Sequence, residues 1–229
     1  MLQHLAIIPD GNRRWAKQNK LKTILGHKSG MEAFKRTIKF CMEKGIKYLS
    51  FYTFSLENFN RPEEEKNYLF SMLAEQASSQ LNEFVEKQIR VRFIGDRSFF
   101  PEHLKPVIEK LEDATKSFDR LNLNLLFCYG GRREIVLAVK DIALKFKSGD
   151  LDINNITEES FFNYLWTTGI PDPELVIRTS NRARLSNFLL YQAAYSELMF
   201  LDIFWPDITD LHLQKCLADF ENIERNFGK

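Results

Sequence analysis

Ile7-Ile8-Pro9-Asp10-Gly11-Asn12-Arg13-Arg14-Trp15-Ala16 decides how this chain is read, because a short apolar run drives straight into a carboxylate, a glycine and two adjacent arginines. A strand ending in such a polar turn is where open α/β sheets place ligands, just outside the carboxyl ends of their strands. Asp10 offers oxygen to a hard cation, and Arg13 and Arg14 offer forked donors to phosphate oxygens. Taken alone, the ten residues are equally compatible with a surface turn in which carboxylate and arginines pair only with one another. The rest of the chain decides between the two.

Outward from this segment, strand-like runs lie at His4 to Ile8, Lys47 to Phe54, Ile89 to Ile94, Leu123 to Cys128, Leu175 to Ile177 and Leu198 to Ile203. Between them fall stretches of helical period: Met31 to Lys44, Glu63 to Lys87, Leu104 to Phe118, Arg133 to Lys147 and a last one from Asp210 to Phe227. Thr157 before Glu158 and Glu159 reads as a helix start, and Gly228 after Phe227 as a helix stop. The alternation predicts an α/β fold with a central, mostly parallel sheet of about six strands flanked by helices. No linker, repeat or low-complexity tract divides residues 1–229, so one domain is expected.

Polar residues gather immediately after the strands. Asp10 to Trp15 succeed the first and Ser55 to Pro62 the second. Gly95-Asp96 succeed the third, Gly130 to Arg133 the fourth, and Arg178 to Ser186 the fifth. In a parallel sheet these ends point one way, so residues distant in sequence converge on one pocket. Arg178 and Arg184 near Ser186 supply donors for more than one phosphate group, whereas Arg182 reads as a solvated charge. Gly95-Asp96 and Gly130-Gly131 read equally well as sharp turns.

Composition narrows the classes. With 229 residues, 44% of them hydrophobic, the chain can bury a substantial core. Its 32 basic and 31 acidic residues give a net charge of +1, so no global field steers it to nucleic acid or an anionic membrane, and anion recognition must be local. Cys41, Cys128 and Cys216 stand far apart without CxxC spacing, which predicts reduced thiols in a cytoplasm-like compartment. With a charged turn already at Asp10, no signal peptide is expected, and no apolar run is long enough to span a bilayer. There is no P-loop, no GxGxxG after a strand, no GxSxG elbow and no histidine cluster at zinc spacing. Carboxylate, arginine, hydroxyl and amide remain, the tools of magnesium-assisted phosphate chemistry.

The segments His4 to Trp15, Gly26-His27, Phe54 to Pro62, Tyr129 to Arg132, Ile177 to Ser180, Arg184 to Leu190, Tyr195 to Leu198 and Trp205 to Asp207 together resemble the cis-prenyltransferase family over nearly the whole chain. The resemblance implies a homodimeric α/β enzyme with a hydrophobic tunnel. It also implies cis condensation of isopentenyl diphosphate onto farnesyl diphosphate, giving undecaprenyl diphosphate, the lipid-carrier precursor of bacterial wall synthesis. Carried over by position, Asp10 is expected to bind Mg2+ and help the allylic diphosphate leave. Gly11, Asn12, Arg13, Arg14, Trp15, Thr23 and His27 are expected to line that diphosphate site. Arg178, Arg184, Leu185 and Ser186 fall to isopentenyl diphosphate, with Glu197 as a second magnesium carboxylate. Ser55, Leu56, Glu57, Asn58, Phe59 and Arg61 match a mobile lid, in which Asn58 is the residue usually named as proton acceptor.

Several positions depart from the family pattern. Thr23 stands in place of an arginine, Phe59 of a tryptophan, Thr53 of an alanine, and Asn181-Arg182 of a Gly-Glu pair; Asn226-Phe227-Gly228 lacks the arginine of an Arg-x-Gly tail. Asn58 carries a neutral amide, a poor base, so it is expected to position substrate while a diphosphate oxygen takes the proton. The 20 phenylalanines mostly pack a core, but helices such as Phe70 to Phe84 are expected to wall a tunnel whose length sets product length. An apolar product also suggests peripheral contact with the inner face of the membrane. A short- or medium-chain synthase, or a catalytically silent prenyl-binding partner subunit, are the competing readings.

Overall fold

A computed structural model describes residues 1–224 of the chain. Strands β1 (His4–Ile8), β2 (Tyr48–Ser55), β3 (Ile89–Ile94), β4 (Leu121–Tyr129), β5 (Leu175–Arg178) and β6 (Glu197–Phe200) form one sheet in the order β3-β4-β2-β1-β5-β6. Every pairing is parallel. β1, β4 and β5 are buried along their whole length, which is why they read as unbroken apolar or amide-bearing runs rather than alternating ones.

The helices are α1 (Asn12–Gln18), α2 (Thr23–Glu43), α3 (Glu63–Ser79), α4 (Leu81–Glu86), α5 (Lys105–Thr115), α6 (Gly131–Ser148), α7 (Glu158–Phe162) and α8 (Asp210–Glu221). Two helical stretches are not visible in the sequence pattern. The expected turn after β1 is instead α1, entered through Gly11 at φ +115°, a conformation that favours glycine. α2 starts at Thr23 rather than Met31, because Gly26 and Gly30, which weaken a helical reading, are there for close approach. A Cβ on Gly26 would lie 2.2 Å from the Asn12 carbonyl oxygen, and one on Gly30 2.6 Å from the Asn12 side chain. The expected Glu63 to Lys87 helix divides at Gln80, and both pieces turn apolar side chains, Phe70 and Phe84, into one cavity. The start at Thr157 is as expected, with Thr157 and Ser160 capping each other. The last helix ends at Glu221, with Asn222 as its C-cap, rather than continuing toward Phe227; Phe227-Gly228 and the Asn226 departure lie outside the described residues.

One core cluster packs on the face under α2, α3, α5 and α8 and includes Leu49, Phe51, Phe127 and Trp205. A second holds Ala6, Tyr52, Tyr129 and Phe188. All three cysteines are buried and unpaired, as their spacing predicts.

Candidate active site

The chain leaves β1 toward β2 on one side of the sheet and later arrives from β4 at β5 on the other, so strand order reverses between β1 and β5. A crevice opens at such a switch point. Asp10 stands two residues beyond β1 and Arg178 ends β5. Arg178 Nη2 donates to Asp10 Oδ2 at 2.7 Å, while its Nη1 donates to the Arg184 carbonyl at 2.6 Å and the Ser186 hydroxyl at 2.7 Å. Arg14 Nη2 donates to Asp10 Oδ1 at 3.0 Å and also to the Ser180 hydroxyl. Burial alone would raise the Asp10 carboxyl, but Arg178 beside it, then Arg14 and Ser180, hold it below its ordinary value of 3.8. Asp10 is therefore an ionised carboxylate with lone pairs to spare. The Arg178 side chain is 4% exposed, and its Nε has no partner among the described residues.

The loop that carries Ser186 is held in unusual backbone. Ser180, Asn181, Ser186, Asn187 and Leu189 all have positive φ. This accounts for one departure from the family pattern: Asn181 sits at φ +50°, and asparagine is the non-glycine residue that tolerates this region best.

A second cluster joins three elements. His27 Nε2 meets Glu65 Oε1 at 3.1 Å, Arg61 Nη1 donates to the same oxygen at 3.1 Å, and Arg13 Nε stands 3.8 Å from Glu65 Oε2. Burial lowers the His27 pKa, with Glu65 pulling the other way, so the imidazole is neutral near pH 7. Glu65 was not among the residues the sequence motifs singled out. Its only sequence signal is its position four residues after Arg61, the spacing of a helical ion pair.

The segment after β2 folds as a 3-10 helix, Leu56–Asn60, in which the Asn58 amide oxygen accepts the Ser55 N–H at 3.2 Å. Phe59 packs on Phe54, Phe70 and Phe99 with ring centroids 5.2, 6.3 and 5.8 Å apart. Glu57 accepts from Asn187 at 2.7 Å, linking this segment to the Ser186 loop.

These groups surround the mouth of a cavity of about 1140 Å³. Asp10, Gly11, Asn12, Arg13, Arg14, Thr23, His27, Ser55, Asn58, Arg61, Arg178, Arg184 and Ser186 line it, and behind them the wall is apolar, with Phe34, Phe51, Phe70, Leu73 and Phe127. The expected tunnel lies between the sheet and α2, α3 and α5. Thr53 also lines it, at a register shift in β2 where its hydroxyl donates to the Leu126 carbonyl at 2.7 Å.

Not every expected residue faces this cavity. Trp15 donates instead to Asp207 at 2.6 Å, tying α1 to the turn at Trp205–Asp207. Leu56 and Phe59 pack on one core cluster and Leu185 on the other. Asp96, beyond β3, pairs with Arg133 at 2.5 Å and lines a separate depression of about 400 Å³. Glu197 does not line the cavity either. It opens β6 opposite Leu175, three residues of strand from Arg178, or about 10 Å. Parallel register thus places it at the other end of the strands from Asp10, and no cluster of three or more potential metal ligands exists among the described residues.

An all-parallel sheet with an arginine-bound carboxylate at its switch point and an apolar tunnel behind defines a class of protein that handles an anionic head and a lipid tail together. Residues 8–228 match the family model described as "Putative undecaprenyl diphosphate synthase". A ditrans,polycis-undecaprenyl-diphosphate synthase of Micrococcus luteus is 43% identical over 99% of this chain and 91% of its own. An isoprenyl transferase of Bacillus subtilis is 46% identical over 99% and 87%. Among solved structures, lavandulyl diphosphate synthase from Lavandula x intermedia, in complex with dimethylallyl diphosphate, superposes with a TM-score of 0.96. It is 34% identical, with 100% of this chain and 98% of that one covered. A "probable undecaprenyl diphosphate synthase" from Campylobacter jejuni gives 0.83 at 33% identity, covering 100% and 99%. The chain belongs to the undecaprenyl diphosphate synthase family of prenyltransferases.

Proposed function

We propose that this protein, acting as a single domain over residues 1–229, condenses isopentenyl diphosphate in cis onto farnesyl diphosphate until the tunnel is full, giving undecaprenyl diphosphate. The observation that carries this reading is the continuity of an arginine-rich anion cradle with an apolar cavity of about 1140 Å³. Each added five-carbon unit contributes on the order of 3 to 4 kcal/mol of burial, which retains the growing chain.

The ionised Asp10, two of whose lone pairs are taken by arginines, fits Mg2+. This ion prefers one or two carboxylates plus substrate phosphates to an all-protein cage. Bound there, the ion would neutralise diphosphate charge as the carbon–oxygen bond breaks. Arg13, Arg14 and the neutral His27 would receive the allylic diphosphate. Arg178, Arg184 and Ser186 would hold that of isopentenyl diphosphate, and holding both in line supplies much of the remaining acceleration. Asn58 would position rather than deprotonate, in keeping with an amide oxygen already engaged by Ser55.

Glu197 could join a magnesium site only across a dimer. Homodimerisation has support in the open edge strand β6, with Leu198 exposed, and in the exposed Val136, Val139 and Phe146 of α6. No described helix is long and apolar enough to cross a membrane; peripheral contact belongs to the proposal through its apolar product.

The test is diphosphate release and radiolabelled product sizing with magnesium, farnesyl diphosphate and isopentenyl diphosphate. Asp10→Asn should lower kcat by roughly 100- to 1,000-fold with the fold intact by circular dichroism. No diphosphate release by the wild type would instead favour a silent prenyl-binding subunit.

A further inference from the structure

From Gly11 to Met31 the chain carries six basic residues and no acidic one. The net charge of the whole is +1, so all other residues together sum to −5. Arg13 and Arg14 serve the site above. Lys17, Lys20, Lys22 and Lys28 are exposed, and no carboxylate pairs with them among the described residues. The carboxylates bonded to this segment are already engaged: Asp10 by Arg14 and Arg178, Glu65 by His27 and Arg61, Asp207 by Trp15. The local field around the turn between α1 and α2 is therefore positive in a protein that is otherwise acidic.

Leu21 and Leu25 stand out from this same turn, each 42% exposed. Either leucine alone would be ordinary surface. Here Lys17, Lys20, Leu21 and Lys22 form part of the tunnel rim, so the basic and apolar patch is continuous with the cavity.

We propose that this rim docks the protein on a bilayer bearing anionic headgroups. Leu21 and Leu25 enter the interface, and Lys17, Lys20, Lys22 and Lys28 lie against lipid phosphates. The proposal deepens the prenyl-chain reading above and rests on it. Lysines near an anionic leaflet and apolar side chains in its interface act additively, each too weak alone. A soluble diphosphate would gain nothing from two exposed leucines, nor from Lys28, which does not line the cavity. Contact at the mouth lets a hydrocarbon chain pass from tunnel to bilayer without crossing water.

Co-sedimentation of the full chain with phosphatidylcholine vesicles, with and without phosphatidylglycerol, tests this. Binding should require the anionic lipid and fall as salt is raised. Lys20→Gln with Lys22→Gln should weaken it roughly 25-fold, at about fivefold per lysine. Leu21→Ser with Leu25→Ser should weaken it at every salt concentration, with folding checked by circular dichroism. Equal binding to neutral and anionic vesicles, undiminished binding of the variants, no binding by the wild type, or displacement by inorganic diphosphate at constant ionic strength would each overturn it. Turnover in detergent separates the two readings. A wild type that turns over but ignores vesicles sinks only the docking surface, and one that binds vesicles but makes no product sinks the condensation reading.

Discussion

Arg178→Lys tests the cradle at its centre. The side chain is 4% exposed and divides its donors, Nη2 to Asp10 and Nη1 to the Arg184 carbonyl and Ser186 hydroxyl. Lysine keeps the charge but offers one nitrogen on a flexible stem, which cannot occupy both Nη positions. With the ammonium on Asp10, the Arg184 carbonyl and Ser186 hydroxyl lose their donor. Hydrogen bonds from a charged donor are worth about 1.5 to 3 kcal/mol each, so two lost at the weak end cost about 3 kcal/mol. Substrate binding must then restore the ordering of Arg184 and Ser186 at its own expense, which corresponds to roughly a hundredfold in rate or affinity. We expect this loss in kcat/KM for isopentenyl diphosphate and a smaller one for the allylic diphosphate, because Arg13, Arg14 and His27 are untouched. Arg178→Met also removes the charge, so the Asp10 carboxyl loses its strongest ally. The acid limb of the pH–rate profile then moves to higher pH, as it does not for lysine. Steady-state diphosphate release against each substrate in turn, with pH profiles and circular dichroism, gives the comparison. A lysine variant within about threefold of wild type on both substrates would refute the forked role, and equal losses on both would refute two separate diphosphate sites.

Gly26→Ala, whose new Cβ would meet the Asn12 carbonyl oxygen at 2.2 Å, should push α1 outward, cost about 1 to 3 kcal/mol in urea unfolding and raise KM for the allylic diphosphate; an unchanged KM would show that α1 does not position it. His4 is buried, and its pKa is lowered to about 4, chiefly by burial. Because the folded state refuses a proton that the unfolded chain takes below pH 6.5, stability should fall by about 3 kcal/mol between pH 6.5 and 4. His4→Gln should flatten that part of the urea-derived curve, and an identical slope in both proteins would count against a neutral buried imidazole. Ala77→Phe, on the tunnel wall of α3, should shorten the main product by roughly one or two five-carbon units on thin-layer chromatography, whereas unchanged length would mean that tunnel volume does not set it. Asn58→Asp should slow condensation; if it sped the step and added one new titration, Asn58 would be a base rather than a positioning residue.

β1, β4 and β5 were legible because strands buried on both faces leave unbroken runs, and the edge strand β3 because its side chains alternate between buried and half-exposed; the sheet order then puts the polar residues after β1, β2 and β5 beside one mouth. α1 and the first turns of α2 were not legible, since Gly11, Gly26 and Gly30 weaken a helical reading while serving contacts that only the packed structure displays. Glu65 was equally hidden: its ties to His27 and Arg13 join residues from separate helices, and a single carboxylate in a run of glutamates carries no mark of that.

By itself the sequence determined the fold class, the family and the chemical types of the site, because apolar periodicity and ordered motifs are local properties of the chain. Only the tertiary structure decided which of those residues meet. Register placed Arg178 against Asp10 and set Glu197 at the far end of the strands, and helix packing drew Arg13, His27, Arg61 and Glu65 together. Distances of a few ångströms between side chains far apart in sequence arise from how strands and helices stack, which no single stretch of sequence records.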